Sequence, residues 1–548
     1  TLFFVTNRRA AEKITLLINE AKGARLAYAH HGSLSKEVRY LVEQKLKGGE
    51  LKAIVATNSL ELGIDIGEID QVVLVKTPNT IAGAVQRIGR AGHRVGEESR
   101  GSFYPTPGLD LLQALVMEEA VYKQNIEECR VPEAPLDVLS QIVLSVIQHG
   151  IWTEEEIYTL VRSSFPYGNL RRETLRRVLA MLEGKYGETN INALKPKVYI
   201  DERGRVHPLK GTRQLLYHSG GTIPDRGYYT LRSREGSPLG ELDEEFVWER
   251  KIGESFVLGS NAWTITGIGE KEVEVIPAKP GAPLVPFWRA ENLHRDFHLS
   301  IKVLEFLLQW AGQFTSSDFI DTCMKDHHLN KEAAERLSSY LALQEEHTGT
   351  PVPHRYHLAI EECSRQQDIR EVLLHTLWGG RVNHPLAILL STFWESRYGY
   401  PLPVFPDNDC ILLQLPHDEK GIVKEALLEL STFGEEELLS LLRKSLERSA
   451  LFGARFRENA GRALLLPKGG FGKRVPLWLT RLRSKKLLAA VQDYEDFPIL
   501  AETWRSCLKD EFDLPSLYQI LDEIARGIIT LSECNTLVPS PFASNVLW

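Results

Sequence analysis

The 548-residue sequence lacks several features that mark special classes of protein. Its six cysteines are scattered without a CxxC pair, which argues against a metal site or a disulfide framework and favours reduced thiols. No run of about 18 apolar residues occurs, so we expect no membrane-spanning helix. The N-terminus does not resemble a signal peptide. These absences predict a cytoplasmic protein that binds no metal ion through its own residues and has no membrane partner.

An excess of positive charge is also missing, since 65 Lys and Arg stand against 73 Asp and Glu. Any nucleic-acid binding must therefore depend on local basic patches. One such patch extends from Arg455 to Lys486, where ten Lys and Arg accompany a single acid, Glu458. Two interpretations remain open: a groove that follows the phosphate backbone, or a basic helix face paired with acidic neighbours such as Glu495 and Asp496.

Hydrophobic patterning divides the chain into four regions. This agrees with the chain length, which predicts about three or four domains. In residues 1–125, short apolar runs alternate with amphipathic helical patterns, which predicts a parallel α/β domain. Residues 126–220 show three helical patterns followed by a hairpin, typical of a winged helix. Residues 221–300 are β-rich, which leaves a small barrel or a sandwich open, and residues 301–548 are mixed and mostly helical. The fold class predicted is therefore multidomain α/β.

Two motifs in the first region come after apolar strands. QRIGRAGHR (86–94) comes after one strand, and ATNSLELGIDIG (56–67) begins at the end of another. Arginines in such a place can reach the γ-phosphate of a nucleotide on a neighbouring domain, which is worth about 10³–10⁵ in rate. A strand followed by Thr, Ser and a helix start can bind a phosphate through backbone N–H groups and hydroxyls. A solvated basic helix and an ordinary βα turn are the alternative interpretations.

These two motifs resemble motifs VI and V of superfamily 2 helicases. FVTNRR (4–9) resembles motif IV, and HHGSLS (30–35) resembles the following motif, which contacts the nucleic-acid backbone. The exact residues of these motifs are similar to the versions found in the large helicase-related (Lhr) family. GGTIPDRG (220–227), FWR (287–289) and segments near the C-terminus also resemble that family, so the resemblance spans essentially the whole chain. One departure is His93, which replaces the third arginine of the QRxGRxGR pattern and is followed by Arg94.

The resemblance implies an ATP-dependent helicase or translocase. It would move 3′→5′ on single-stranded DNA, unwind DNA or RNA:DNA duplexes, and act in DNA repair. The implied residue roles are catalysis for Gln86, Arg90 and Arg94, nucleotide binding for Gly63, Asp65 and Arg87, and nucleic-acid binding for Asn7, Arg8, Arg9, His31, Gly32, Ser33, Thr57, Ile223 and Trp288. Which of Arg90 and Arg94 reaches the γ-phosphate is left open, and ordinary core packing is the alternative for Trp288.

A Walker A loop and a DExH box, which hold the phosphates and Mg²⁺ of ATP in such motors, are absent from the sequence. The resemblance assigns both to a first RecA-like domain that would precede Thr1. We therefore expect this chain to be a portion of a longer motor, to supply half of a composite ATP site, and to be inactive alone. The alternatives are a non-catalytic nucleic-acid-binding protein that has lost its first motor domain, and a split motor whose other half is a separate chain.

Overall fold

The structure is a computed structural model that describes most of the chain. The described residues are 1–32, 36–61, 69–92, 96–186, 189–190, 193–223, 228–243, 246–247, 250–258, 261–269, 272–278, 284–285, 294–363, 369–416, 422–447, 449–466 and 477–547. Within these ranges no helix has the length and hydropathy needed to cross a bilayer. The same ranges contain no group of three or more His, Cys, Asp or Glu placed to bind a metal ion. The six cysteines form no disulfide.

The first segment is a five-stranded parallel sheet with the strand order β2-β3-β1-β4-β5. Its elements are β1 (Leu2–Phe4), α1 (Arg8–Lys22), β2 (Ala27–His30), α2 (Lys36–Lys47), β3 (Ala53–Ala56), β4 (Val72–Val75), α3 (Ile81–Ile88), β5 (Gly101–Tyr104) and α4 (Leu109–Tyr122). All four residues of β3 are buried, as expected for a central strand covered on both faces. The predicted parallel α/β domain is confirmed.

The second segment contains the predicted winged helix. Its elements are α5 (Leu136–Val146), β6 (Trp152–Thr153), α6 (Glu154–Arg162), α7 (Arg172–Glu183), β7 (Lys185–Tyr186), β8 (Thr189–Asn190), β9 (Val198–Ile200), β10 (Arg205–Pro208) and α8 (Thr212–Ser219). β9 and β10 form the wing hairpin, and β6 adds a third strand in the order β6-β10-β9. Thr153 and Glu156 form a capping box that starts α6.

The β-rich region forms one six-stranded sheet with the order β12-β11-β15-β14-β13-β16. Its strands are β11 (Tyr228–Ser233), β12 (Pro238–Asp243), β13 (Ser255–Leu258), β14 (Asn261–Ile268), β15 (Glu272–Pro277) and β16 (Leu284–Val285). Two neighbouring pairs, β11 with β15 and β13 with β16, are parallel. Leu231, Phe256 and Val273 are fully buried in its core.

The remainder is mostly helical with a second mixed sheet. Its elements are α9 (Phe297–Trp310), α10 (Ser317–Lys325), α11 (Lys331–Thr348), β17 (His357–Cys363), β18 (Ile369–His375), α12 (Gly380–Tyr398), β19 (Val404–Pro406), β20 (Ile411–Pro416), α13 (Ile422–Ser431), α14 (Glu435–Leu446), α15 (Ala450–Arg462), α16 (Leu477–Val491), α17 (Pro498–Arg505), α18 (Leu514–Ala525), β21 (Thr530–Thr536) and α19 (Ser544–Leu547). The sheet order is β19-β20-β18-β17-β21.

A buried carboxylate lies in this second sheet. Glu361 on β17 is fully buried. It accepts hydrogen bonds from His375 Nε2 at 2.8 Å, from Thr536 Oγ1 at 2.7 Å, and from the backbone N–H and the hydroxyl of Ser540 at 2.9 and 2.5 Å. Burial alone would raise the pKa of Glu361, but the hydrogen bonds from His375 and Ser540 outweigh it and lower the pKa to about 2.

The chain folds into two compact units, each built from segments that are distant in sequence. The first unit contains residues 1–128, 293–434 and 515–548, and the second contains residues 129–292 and 435–514. In the second unit, Leu139 and Leu175 of the winged helix share one apolar core with Phe456 and Phe497. The winged helix is therefore completed by helices that follow it much later in the chain.

Candidate nucleotide and nucleic-acid site

Three of the predicted motifs meet at one edge of the parallel sheet. Asn7 follows β1, His31 follows β2 and Thr57 follows β3. Because these strands are parallel, their carboxyl ends lie at the same edge. β1 and β4 are neighbours at the middle of the sheet. After β1 the chain continues to β2 at one edge of the sheet, and after β4 it continues to β5 at the opposite edge. Ligands of open α/β sheets bind at such a switch point, outside the carboxyl ends of the strands.

Motif IV forms the start of α1. Asn7 is the N-cap, with an extended backbone and a side-chain oxygen that accepts a hydrogen bond from the N–H of Ala10 at 2.8 Å. Arg8 is half-buried and Arg9 is exposed in the first turn. The N-cap therefore fixes the start of α1 and places Arg8 and Arg9 in its first turn, next to this edge of the sheet.

The histidines after β2 connect this edge to its neighbours. His30 Nδ1 lies 2.8 Å from the hydroxyl of Ser59 in motif V, and burial lowers the pKa of His30. His31 is also buried, and its Nε2 lies 2.8 Å from a carboxylate oxygen of Glu12 on α1. Gly32 is exposed. The imidazoles thus link the segment after β2 to motif V and to α1.

Arg87 joins motif VI to motif V. Its guanidinium donates to the Glu61 carboxylate at 2.9 and 3.0 Å and to the side-chain oxygen of Asn58 at 2.9 Å. The same guanidinium lies over the ring of Phe4, with its carbon 5.3 Å from the ring centroid. Arg87 is 8% exposed. In this structure its donors are directed at motif V, so its assignment to nucleotide binding stays a prediction.

The helix that carries motif VI is held firmly at its start. Thr80 caps α3 by accepting from the N–H of Gly83, and Glu127 accepts from the N–H groups of Ile81 and Ala82 at 2.6 and 2.9 Å. Gln86 near the end of α3 is exposed, and Arg90 just beyond it is half-buried. A carboxamide and a guanidinium are suitable donors for phosphate oxygens, so this helix end fits a nucleotide phosphate chemically.

Five predicted site residues lie outside the described part of the chain, and their roles stay predictions: Ser33, Gly63, Asp65, Arg94 and Trp288. Ile223 is described and lies in the loop after α8 with 82% of its surface exposed. An isoleucine so exposed is accessible to a base, as the resemblance implies.

Several contacts of this region were not predicted from the sequence. Glu61 lies inside the recognised motif V but has no role in the predicted site, and Glu127 lies far from α3 in sequence. Glu61 accepts from Arg87 of motif VI, whereas Glu127 accepts from Ile81 and Ala82 at the start of the helix that carries this motif. Only Glu61, an acid within a recognised motif, offered a sequence signal. The basic patch is also partly ion-paired, because Arg455 contacts Glu458 and Glu511 and Arg462 contacts Asp137. For these two arginines the paired interpretation is the correct one.

Three protein families match successive parts of the chain. Residues 1–95 match the helicase conserved C-terminal domain, residues 119–284 match the winged helix domain of large helicase-related protein, and residues 352–543 match the DEAD/H associated family. The first match covers β1 to β4 of the parallel sheet and motifs IV to VI. The second includes the winged helix and most of the β-rich sheet.

Individual relatives agree with these matches. The Lhr helicase/uracil glycosylase of Escherichia coli is 36% identical over 100% of this chain and 38% of its own length. The ATP-dependent helicase Lhr-Core protein 2 of Thermococcus barophilus is 31% identical over 100% of this chain and 63% of its own length. The solved structure of Mycobacterium smegmatis helicase Lhr bound to ssDNA and AMP-PNP superposes with a TM-score of 0.81 at 35% identity, covering 100% of this chain and 66% of that one.

The chain thus spans less than two thirds of the length of these curated relatives. Its fold agrees with that of the mycobacterial protein, and the matched families follow one another in the order in which the segments were described. The chain belongs to the large helicase-related (Lhr) family and matches the C-terminal part of Lhr helicases.

Proposed function

We propose that this chain is the part of an Lhr-type ATP-dependent helicase that supplies motifs IV to VI and a large share of the nucleic-acid contacts. Arg90 acts as the arginine finger, and Gln86 contacts the nucleotide beside it. ATP and Mg²⁺ are held mainly by a first RecA-like domain that carries the Walker A loop and the DExH box. When bound, ATP would supply the negative charge that Arg90 and Gln86 contact.

The observation that carries this proposal is the direct link between motifs V and VI through Arg87. A motor must transmit a change at the nucleotide to the segment that holds the strand. Arg87 follows Gln86 on α3, and its guanidinium contacts Glu61 and Asn58 of motif V. Ser59 of the same motif contacts His30 at the end of β2. A displacement of α3 is therefore transmitted through these hydrogen bonds to the carboxyl edge of the sheet, where the strand is proposed to bind.

We further propose single-stranded DNA as the bound strand, with 3′→5′ movement, DNA or RNA:DNA duplexes as substrates, and a role in DNA repair. The mycobacterial relative is described as bound to ssDNA and AMP-PNP, which supports the strand and the nucleotide. Asn7, Arg9 and Thr57 at the carboxyl edge of the sheet would contact the strand backbone. The movement, the duplexes and the repair role rest on the family resemblance.

The test is the substitution Arg90→Ala in the protein that joins this chain to a first RecA-like domain. DNA-stimulated ATP hydrolysis should fall by about 10³-fold or more, because the charge that develops on the γ-phosphate loses its guanidinium. Hydrolysis is measured as phosphate release at saturating single-stranded DNA. Arg100→Ala is the matched control, since Arg100 is exposed and lies in the same domain.

Undiminished hydrolysis by the Arg90→Ala protein would refute Arg90 as the arginine finger. Robust hydrolysis by the 548-residue chain alone, freed of contaminating ATPase, would refute the composite site. The nucleic-acid affinity of the Arg90→Ala protein should stay within about twofold of the unsubstituted protein, because the finger acts on the nucleotide and not on the strand.

A further inference from the structure

A glutamine of the winged helix contacts the backbone of the loop that carries Ile223. Gln141 on α5 accepts a hydrogen bond from the Gly221 N–H at 2.9 Å and donates one to the Gly221 carbonyl at 3.0 Å. We propose that Gln141 is a positioning residue that holds Ile223 in place to contact a base of the bound single strand. The proposal rests on the proposed function, since it requires a strand to be bound at this loop.

The geometry of the contact restrains both the position and the orientation of the loop. A carboxamide has one acceptor and one donor group, and here both engage the same residue. A single hydrogen bond would leave the loop free to rotate about it, whereas these two bonds restrain the peptide groups on both sides of Gly221. Ile223 follows Gly221 by only two residues, so the restraint is transmitted over a very short length of chain.

The loop needs such a restraint because its backbone is built from glycine. Gly220 ends α8, and a Cβ atom there would lie 2.5 Å from the Leu216 carbonyl oxygen. Gly221 has a φ of +111°, which side chains disfavour. Two glycines in succession allow the chain to turn sharply away from α8, but they also make the loop costly in entropy to order. The carboxamide of Gln141 offsets that cost at the second glycine.

The helix that carries Gln141 is itself rigidly mounted. Leu139, Val143 and Leu144 of α5 are fully buried in the core of the second unit. At the start of the helix, Glu502 accepts from the N–H of Leu136 at 2.9 Å, and Asp137 pairs with Arg462. The Gln141 side chain is therefore held by a helix with little freedom to move, as a positioning residue requires.

The test measures binding of a fluorescein-labelled oligothymidylate to the 548-residue chain by fluorescence anisotropy. Ile223→Ala and Gln141→Ala should each weaken binding by about fivefold, the scale of one lost base contact. The double variant should weaken binding by about the same factor as either single change, because both remove one contact. Gln141→Glu should behave like Gln141→Ala, since a carboxylate cannot donate to the Gly221 carbonyl.

Gln148→Ala is the matched control, because Gln148 lies just beyond α5 and its side chain bonds to the Leu144 carbonyl. Its affinity should equal that of the unsubstituted chain. The thermal unfolding midpoints of all variants should agree, which separates positioning from a loss of folding.

Unchanged affinity of Gln141→Ala, or additive losses in the double variant, would overturn the role of Gln141. An unsubstituted chain that does not bind the oligothymidylate would overturn the proposed function itself, and an Ile223→Ala chain that binds normally would overturn the base contact.

Discussion

At the scale of single residues, Glu361 is a buried, ionised carboxylate that the fold stabilises with four hydrogen bonds. A carboxylate removed from water is costly unless hydrogen bonds replace those of the solvent. Glu361 receives four of them from His375, Thr536 and Ser540, and these donors come from β18, from β21 and from the segment after β21. The ionised side chain therefore ties the end of the chain to the second sheet.

Glu361→Gln should lower the free energy of unfolding by about 3 kcal/mol near neutral pH, because the amide cannot accept all four bonds. The pKa of Glu361 falls from its ordinary value of 4.5 to about 2 in the folded protein. The carboxylate therefore contributes its full stability above pH 4.5 and loses it progressively as the pH falls towards 2. Urea unfolding at a series of pH values, with both proteins side by side, measures this difference.

The exposed Glu346 on α11 offers a control, and Glu346→Gln should change stability little at any pH. A Glu361→Gln difference that stays constant from about pH 5 down to the acid range would contradict the assigned ionisation.

The motif residues show what single-residue reasoning from sequence can and cannot supply. The pattern 86–94 predicted phosphate binding at the end of α3, since clustered arginines after a buried strand are suited to phosphate. It did not show that Arg87 contacts Glu61 and Asn58, because pairing between two motifs depends on how their elements pack. Likewise Gln141 carried no sequence signal, since its partner Gly221 is brought to it only by the tertiary fold.

At the scale of elements, α7 presents arginines that are already engaged by acids. Arg172 pairs with Glu155 and Arg176 pairs with Glu154, both in the first turn of α6. Arg177 contacts Glu173 and Asp496. Arginines on a helix of a winged helix can bind DNA phosphates or pack against neighbouring elements, and the ion pairs between α6 and α7 favour packing for Arg172 and Arg176.

Substituting Arg172 and Arg176 together by Ala should leave oligothymidylate affinity and its salt dependence unchanged, because neither side chain is expected to contact a phosphate. Substituting Arg8 and Arg9 should instead weaken binding and reduce the slope of log affinity against log salt by about 0.7 for each lost phosphate contact. Anisotropy titrations over a range of salt concentrations compare the two pairs. A reduced slope for the α7 variant would show that this helix contacts the strand after all.

Most elements were predictable because their periodicity is strong. The apolar runs at 52–57 and 71–76 correspond to β3 and β4, and the three helical patterns after residue 135 correspond to α5, α6 and α7. The order of the strands and the pairing of two-residue strands such as β6 were not predictable, because they depend on contacts between distant segments. The sequence could not decide between a barrel and a sandwich for residues 221–300 for the same reason, because the pairing of the strands depends on contacts between distant segments.

At the scale of the whole molecule, sequence regions and compact units do not coincide. The predicted region 301–548 contributes residues 435–514 to the unit that contains the winged helix. Phe452, Phe456 and Phe497 from that segment are buried together with Val143 and Leu179. Composition along the chain cannot reveal such sharing, because apolar helices that complete a neighbouring core look the same as helices that form their own.

A fragment of residues 129–292 should therefore be poorly folded by itself, since its core would expose the surface that the later helices cover. Adding residues 435–514 through a flexible linker should restore cooperative thermal unfolding and sharp amide signals in NMR spectra. Calorimetry of the two fragments provides the comparison. A fragment 129–292 that unfolds as cooperatively as the joined form would contradict the shared core.

The split arrangement of the second unit has a consequence for biosynthesis. The ribosome delivers residues 129–292 well before their packing partners at 435–514, and the chain in between must emerge first. During that interval the nascent winged helix exposes a hydrophobic surface, which chaperones bind and which promotes aggregation. A pause in translation within 293–434 would lengthen this vulnerable period, whereas one after 514 would not.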